Sequence, residues 1–180
     1  MKSVSIWLVV ILAVFVVNSA QAEDGFYTGA AVQRTSLGVD YLSSDEATAT
    51  GGRFYVGYAI SPRFAVEAAY LNSGWATWTA PGAQVDLRAT ALSLSFLGAI
   101  PLSDRFHLFG KAGYYDGEAD YQAWASGMGT YVFSEDLDGV TLGAGVRYDV
   151  GRFSWRLEYD WYNVDNGTAD TLGLAAQIRF

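Results

Sequence analysis

His107 is the only histidine in the sequence, and a histidine beside a serine is the usual base and nucleophile for ester hydrolysis. No serine lies two residues from it, so on a strand no hydroxyl nucleophile would share its face. Arg156 and Glu158 stand two apart and could mimic an acid–base pair. On a strand they share one face, and opposite charges buried together in a narrow space must pair, so a structural role is expected. Asp116-Gly117-Glu118-Ala119-Asp120 and Glu135-Asp136-Leu137-Asp138-Gly139 crowd acids together, but neither follows the calcium-loop spacing. There is no cysteine, so no disulfide, thiolate nucleophile or thiolate metal ligand. The expectation is a non-enzyme with no catalytic residues, no cofactor and no metal site.

The elements that must position these residues are strands. Phe153-Ser154-Trp155-Arg156-Leu157-Glu158-Tyr159-Asp160-Trp161 alternates strictly, with Phe, Trp, Leu, Tyr and Trp on one face and Ser, Arg, Glu and Asp on the other. Leu172 to Phe180 and Val140 to Tyr148 repeat the pattern. Strands are predicted near 25–35, 52–60, 63–72, 86–99, 106–116, 139–149, 153–163 and 171–180. The connections alternate between short turns and mostly longer loops at 36–52, 72–86, 116–138 and 163–170, which is the wiring of an up-and-down barrel. A membrane strand needs about 9–11 residues, so the length accommodates eight strands and excludes the sixteen of a general porin. The N-terminus reads differently. Lys2, an apolar run from Ile6 to Val17, and Ala20-Gln21-Ala22 form a secretory signal with cleavage expected after Ala22. That divides the chain into a signal peptide, 1–22, and one barrel domain, 23–180.

The direction of the apolar faces decides the solvent. The polar face carries Glu67, Lys111, Arg147, Arg156 and Glu158 among many small residues, and an apolar interior would not tolerate these charges unpaired. The opposite face, rich in Trp, Phe, Leu and Tyr, would aggregate in water. Facing lipid, with the charges paired in the lumen, both problems disappear. Phe106, Tyr148, Phe153 and Trp155 then form an aromatic girdle at the short-turn end. Tyr70, Trp75, Trp78 and Trp161 form one at the long-loop end. His107 points into the lumen near the inner rim.

Taken in order, Gly25-Phe26-Tyr27-Thr28-Gly29-Ala30, Phe109-Gly110-Lys111-Ala112-Gly113, Gly143-Ala144-Gly145-Val146-Arg147-Tyr148, and Arg156 to Trp161 followed by Leu172 to Phe180 resemble the outer-membrane protein A-like superfamily of eight-stranded transmembrane β-barrels. The resemblance covers essentially all of 23–180. It implies an all-β, antiparallel barrel, integral to the bacterial outer membrane, whose lumen is crossed by charge pairs. By position Glu67, Arg156 and Glu158 look like members of that network. It also implies that the last strand, with Ile178 and Phe180, is read by the barrel-assembly machinery. The sequence departs from the family near Leu97, where the relatives carry a lysine, and at Arg147, where they carry a glutamate. The peptidoglycan-binding domain of longer relatives is not expected here.

Net charge is -8, which argues against a nucleic-acid partner. Twelve acids fall in the segments read as long loops: Asp40, Asp45, Glu46, Asp86, Asp116, Glu118, Asp120, Glu135, Asp136, Asp138, Asp165 and Asp170. No Lys or Arg joins them there. Such loops would meet the phosphates of lipopolysaccharide, with divalent cations bridging the like charges. The function expected is structural and surface-interacting, for a monomeric barrel. The alternatives are ligand recognition or adhesion, with Tyr41, Trp75, Trp78, Trp124 and Tyr131 as contacts, a narrow ion-conducting pore, and a lipid A-modifying enzyme.

Overall fold

In the computed structural model, which describes residues 25–39, 47–127, 129–164 and 167–180, eight strands form a closed antiparallel barrel in sequence order. They are β1 (Phe26–Val39), β2 (Ala47–Ser61), β3 (Phe64–Ala80), β4 (Ala83–Pro101), β5 (Phe106–Ala125), β6 (Gly129–Val150), β7 (Phe153–Val164) and β8 (Gly167–Arg179). Closure is made by β1 against β8, from Tyr27 opposite Arg179 to Val39 opposite Gly167. A closed sheet satisfies every interior backbone group within itself, which is what a strand protein needs in hydrocarbon. The signal segment with Ala20 and Ala22 lies outside the described residues, as do Asp40, Tyr41, Asp45, Glu46 and Asp165.

The alternation sets the two faces as the sequence suggests. Leu94, Phe96, Leu142, Trp155, Leu157, Leu172 and Leu174 are exposed on the outer surface. Ser154, Arg156, Glu158 and Asp160 are buried in the lumen. Near the short turns, paired rings gather on the outside: Phe26 with Tyr58, Phe64 with Phe96, and Phe106 with Tyr148, at centroid separations of 4.8, 5.6 and 4.7 Å. Ile178 and Phe180 continue the lipid-facing stripe of β8, with Ile178 opposite Phe153. The Phe180 amide donates to the Phe26 carbonyl (2.9 Å).

Two expectations change. First, all four of the segments read as long loops are mostly strand. β3 and β4 run to a tight turn at Pro81-Gly82, and β5 and β6 pair from Phe106 opposite Tyr148 up to Ala125 opposite Gly129. Pro followed by Gly at φ 80° is the chemistry of a type II turn, and Thr, Val, Tyr and Trp on either side favour extended backbone. Eight of the twelve acids therefore stand on strands. Second, Trp78 does not join the outer girdle. Pairing of β3 with β4 shifts between Asn72 and Trp75, where Gly74 takes φ 77°. This bulge inserts one residue and inverts the parity beyond it. Trp75 then faces outward, while Trp78 packs inward against Ala49 and Ala76.

The barrel is also lopsided. β2 pairs with β3 only as far as Gly52 opposite Asn72, and β6 pairs with β7 only from Thr141 to Val150. The outer parts of β3, β4, β5 and β6 thus rise together as a four-stranded wall. Among the described residues, the upper half of β6 has β5 as its only strand neighbour.

Candidate functional site: the lumen and the outer wall

The lumen is crossed by a layer of six ionisable side chains from four strands, counted among the described residues. Glu158 and Asp160 project from β7 at the two-residue spacing of one strand face. Arg53 on β2 pairs with Glu158 through Nη2 and donates from Nη1 to Asp160 (2.9 Å). Lys111 on β5 bridges the same two carboxylates, at 3.2 Å to Glu158 and 2.9 Å to Asp160. Arg156 reaches Glu67 on β3 through Nη1 (2.7 Å) and Glu158 through Nε (2.6 Å). The layer holds three cations and three carboxylates, all nearly inaccessible, and its charges balance. Arg156 also lies over the rings of Tyr55 and Phe109, 4.8 and 4.7 Å from their centroids, and Tyr27 donates to Glu67.

The small residues seen in the sequence make room for this layer. A Cβ at Gly143 would collide with the Asp160 carboxylate and come within 2.8 Å of Lys111 Cε. A Cβ at Gly57 would run into the Tyr27 ring.

Of the five residues expected in the network, Glu67, Lys111, Arg156 and Glu158 are brought together. Arg147 is not. It sits at the short-turn end, where its Nε pairs with Asp149 (3.0 Å), and Asp149 also faces His107 Nδ1 (3.4 Å) and Arg179 (3.8 Å). The reason is position along the strand: Arg147 is four residues from Gly143, the residue beside the Lys111–Asp160 contact, and so lies two inward positions nearer the turn. Leu97 faces the lumen and is buried. Arg53 and Asp160 complete the layer without having been singled out. Asp160 was visible as the fourth polar residue of the β7 alternation. Arg53 stood at the edge of a strand predicted to start at 52, where an arginine reads as an interfacial charge.

The layer separates two cavities. The inner one, of about 780 Å³, opens at the short-turn end among Arg63, Arg147, Arg152 and Arg179. The outer one, of about 190 Å³, lies above Asp160 among residues that are mostly apolar. On the outer wall, acids oppose acids on neighbouring strands: Asp116 faces Asp138, and Glu118 faces Asp136. Arg88 stands opposite Asp120 on the next strand pair. Tyr114 donates to Asp138, and Tyr159 to Asp170 (2.7 Å), so the acid layer begins where the outer aromatic belt ends. Among the described residues no three His, Cys, Asp or Glu side chains are grouped to hold a metal ion.

A closed eight-stranded barrel with an apolar exterior, an aromatic belt and a buried charge layer is a membrane barrel, and the sequence matches the family described as outer membrane protein beta-barrel domain over residues 6–180. The chain belongs to that family. It is accordingly an integral outer-membrane protein. Its fold is similar to Neisserial surface protein A, at 16% identity and a TM-score of 0.68, covering 86% of this chain and 97% of that one. It is also similar to Ail, the attachment invasion locus protein of Yersinia pestis, at 16% identity and a TM-score of 0.63 over 87% of this chain and 99% of that one. The Ail structure is a complex with the heparin analogue sucrose octasulfate. A major outer membrane protein from Thermus thermophilus is similar at 14% identity and a TM-score of 0.56, over 85% of this chain and 99% of that one. No curated protein matches the sequence.

Proposed function

We propose that this protein is a non-enzymatic barrel that acts at the cell surface through its outer wall, in contact with lipopolysaccharide. The observation that carries the reading is the wall itself: four strands continue past the membrane belt and present facing rows of acids immediately above it. Like charges directly opposite one another on a sheet are destabilising unless something neutralises them. Divalent cations shared with the phosphates of the outer leaflet would do so. Affinity for lipopolysaccharide vesicles should therefore rise with Mg²⁺ and fall with chelator, and replacing Glu118 and Asp136 by Asn should weaken the dependence. Affinity that ignores Mg²⁺ would defeat the reading.

Recognition of a soluble partner by the wall is the second reading. It is supported by the unpaired outer edge of β6 among the described residues and by Trp124 and Tyr131, exposed near its tip. The acids make a polyanion of the kind bound to Ail a poor fit here, and favour a neutral or basic partner. A pore is disfavoured by the closed charge layer. Ester hydrolysis is disfavoured because His107 lies at the inner mouth against Asp149, on the far side of that layer from the outer leaflet. We further propose that residues 1–22 are cleaved after Ala22, with Ala20 and Ala22 as the recognised pair. In the same reading Ile178 and Phe180 carry the assembly signal, and the barrel works as a monomer.

A further inference from the structure

The outer cavity differs in kind from the inner one. Its floor is made by Tyr115 and Tyr162, packed edge to face at 5.4 Å. The Tyr115 hydroxyl is turned into the wall, where it donates to the Asn163 carbonyl (2.6 Å). Leu71, Leu87 and Leu137 line its sides. At about 190 Å³ it is comparable with the apolar protein cavities of roughly 150 Å³ that take up a single aromatic ring.

Two polar side chains line this apolar space. Gln33 is 2% exposed and Thr35 3%, and neither Gln33 Nε2 nor Thr35 Oγ1 has a hydrogen-bond partner among the described residues. Both line the cavity, and both share rungs of the sheet with the charge layer. Gln33 lies level with Gly173 and Glu158, and Thr35 with Thr171 and Asp160. A buried amide donor is ordinarily satisfied. Glu135, near the opening, is the only charged side chain of the lining among the described residues, and it repels anions.

We propose that this chamber binds an uncharged molecule the size of one ring or a short alkyl chain, carrying a single hydrogen-bond acceptor. The apolar body lies against Leu71, Leu87 and Leu137, and the acceptor takes the Gln33 amide proton. Its sides are the inward face of the outer wall, so the site lies behind the outward-facing acids and needs no cation.

Acetophenone is a suitable probe because it joins one ring to one carbonyl. Ethylbenzene has the same shape without the acceptor, and benzoate adds a negative charge. With the protein folded in phospholipid nanodiscs, acetophenone should produce a saturable shift of the Gln33 side-chain amide resonance. Ethylbenzene should bind at least tenfold more weakly, and benzoate should not saturate. Gln33→Leu should abolish the difference between acetophenone and ethylbenzene, read at a Leu137 methyl group. Leu137→Trp should remove saturable binding altogether, with the heat-dependent gel shift showing that the barrel still forms. A shift that never saturates, or one retained in Leu137→Trp, reflects partition into lipid and overturns the proposal. Equal affinity for acetophenone and ethylbenzene, or for acetophenone and benzoate, overturns it as well.

Discussion

Glu158 pairs with three cations and Glu67 with one, so these two of the three lumen carboxylates should not be equivalent. Removing one partner of a buried ion pair leaves the other charge desolvated without compensation, at a cost of about 3–5 kcal/mol. Glu158→Gln should therefore lose stability in that range, and Glu67→Gln less, because Arg156 keeps Glu158 and Gln177 as acceptors. Urea titration of the folded gel band in detergent measures both, and equal losses would contradict the inequality. A second effect at this scale is steric. Gly143→Val would drive its side chain into Asp160 and the Lys111 stem, in a lumen too narrow to yield. The folded band should be depleted even at low denaturant. A folded yield equal to that of the unsubstituted protein would count against the packing described here.

At the scale of the element, the bulge at Gly74 decides which tryptophan faces lipid. A side chain there would need φ 77° and would meet the Thr50 carbonyl. Such a backbone costs a non-glycine residue about 1–3 kcal/mol. Gly74→Ala should loosen the outer ends of β3 and β4 while leaving the lower barrel intact. Hydrogen exchange would then quicken at Ala76 and Leu87 but not at Ala69 or Phe96. The same bulge shows what the sequence could and could not disclose. Period two placed Ser154, Arg156, Glu158 and Asp160 on the lumen face without error, because β7 carries no irregularity. Past Gly74 the period restarts with opposite parity, and no count of alternation foresees that without knowing the glycine is inserted. The outer strands were read as loops because neither face carries an unbroken apolar stripe, Trp75-Ala76-Thr77-Trp78-Thr79 among them. A strand that stands in water needs no apolar stripe, so its signal lies in β-propensity and in Pro81-Gly82 rather than in hydrophobic period. The charge layer was legible where its members sat mid-strand, and Arg53 was lost at a misplaced strand end.

The whole molecule is two chambers stacked on one neutral layer. An interior of eight strands is only wide enough for side chains to fill it. Three cations locked to three carboxylates offer an ion neither a path nor a free partner. The intact protein should show no discrete conductance steps in a planar bilayer. A gate can be engineered because the pairing is redundant. Removing Lys111 and Glu158 together leaves Arg53 with Asp160 at 2.9 Å and Arg156 with Glu67 at 2.7 Å, so no charge is orphaned. The double variant Lys111→Ser/Glu158→Ser should fold, lose less stability than the two single variants summed, and conduct in brief steps where the outer and inner cavities join. Cations should cross more readily than anions, because the acids of the wall surround the outer entrance. If the intact protein conducts as well as the double variant, the layer does not seal the lumen. If the double variant folds and stays silent, the seal belongs to the rings of Tyr55 and Phe109, which would remain stacked on Arg156, rather than to the charges.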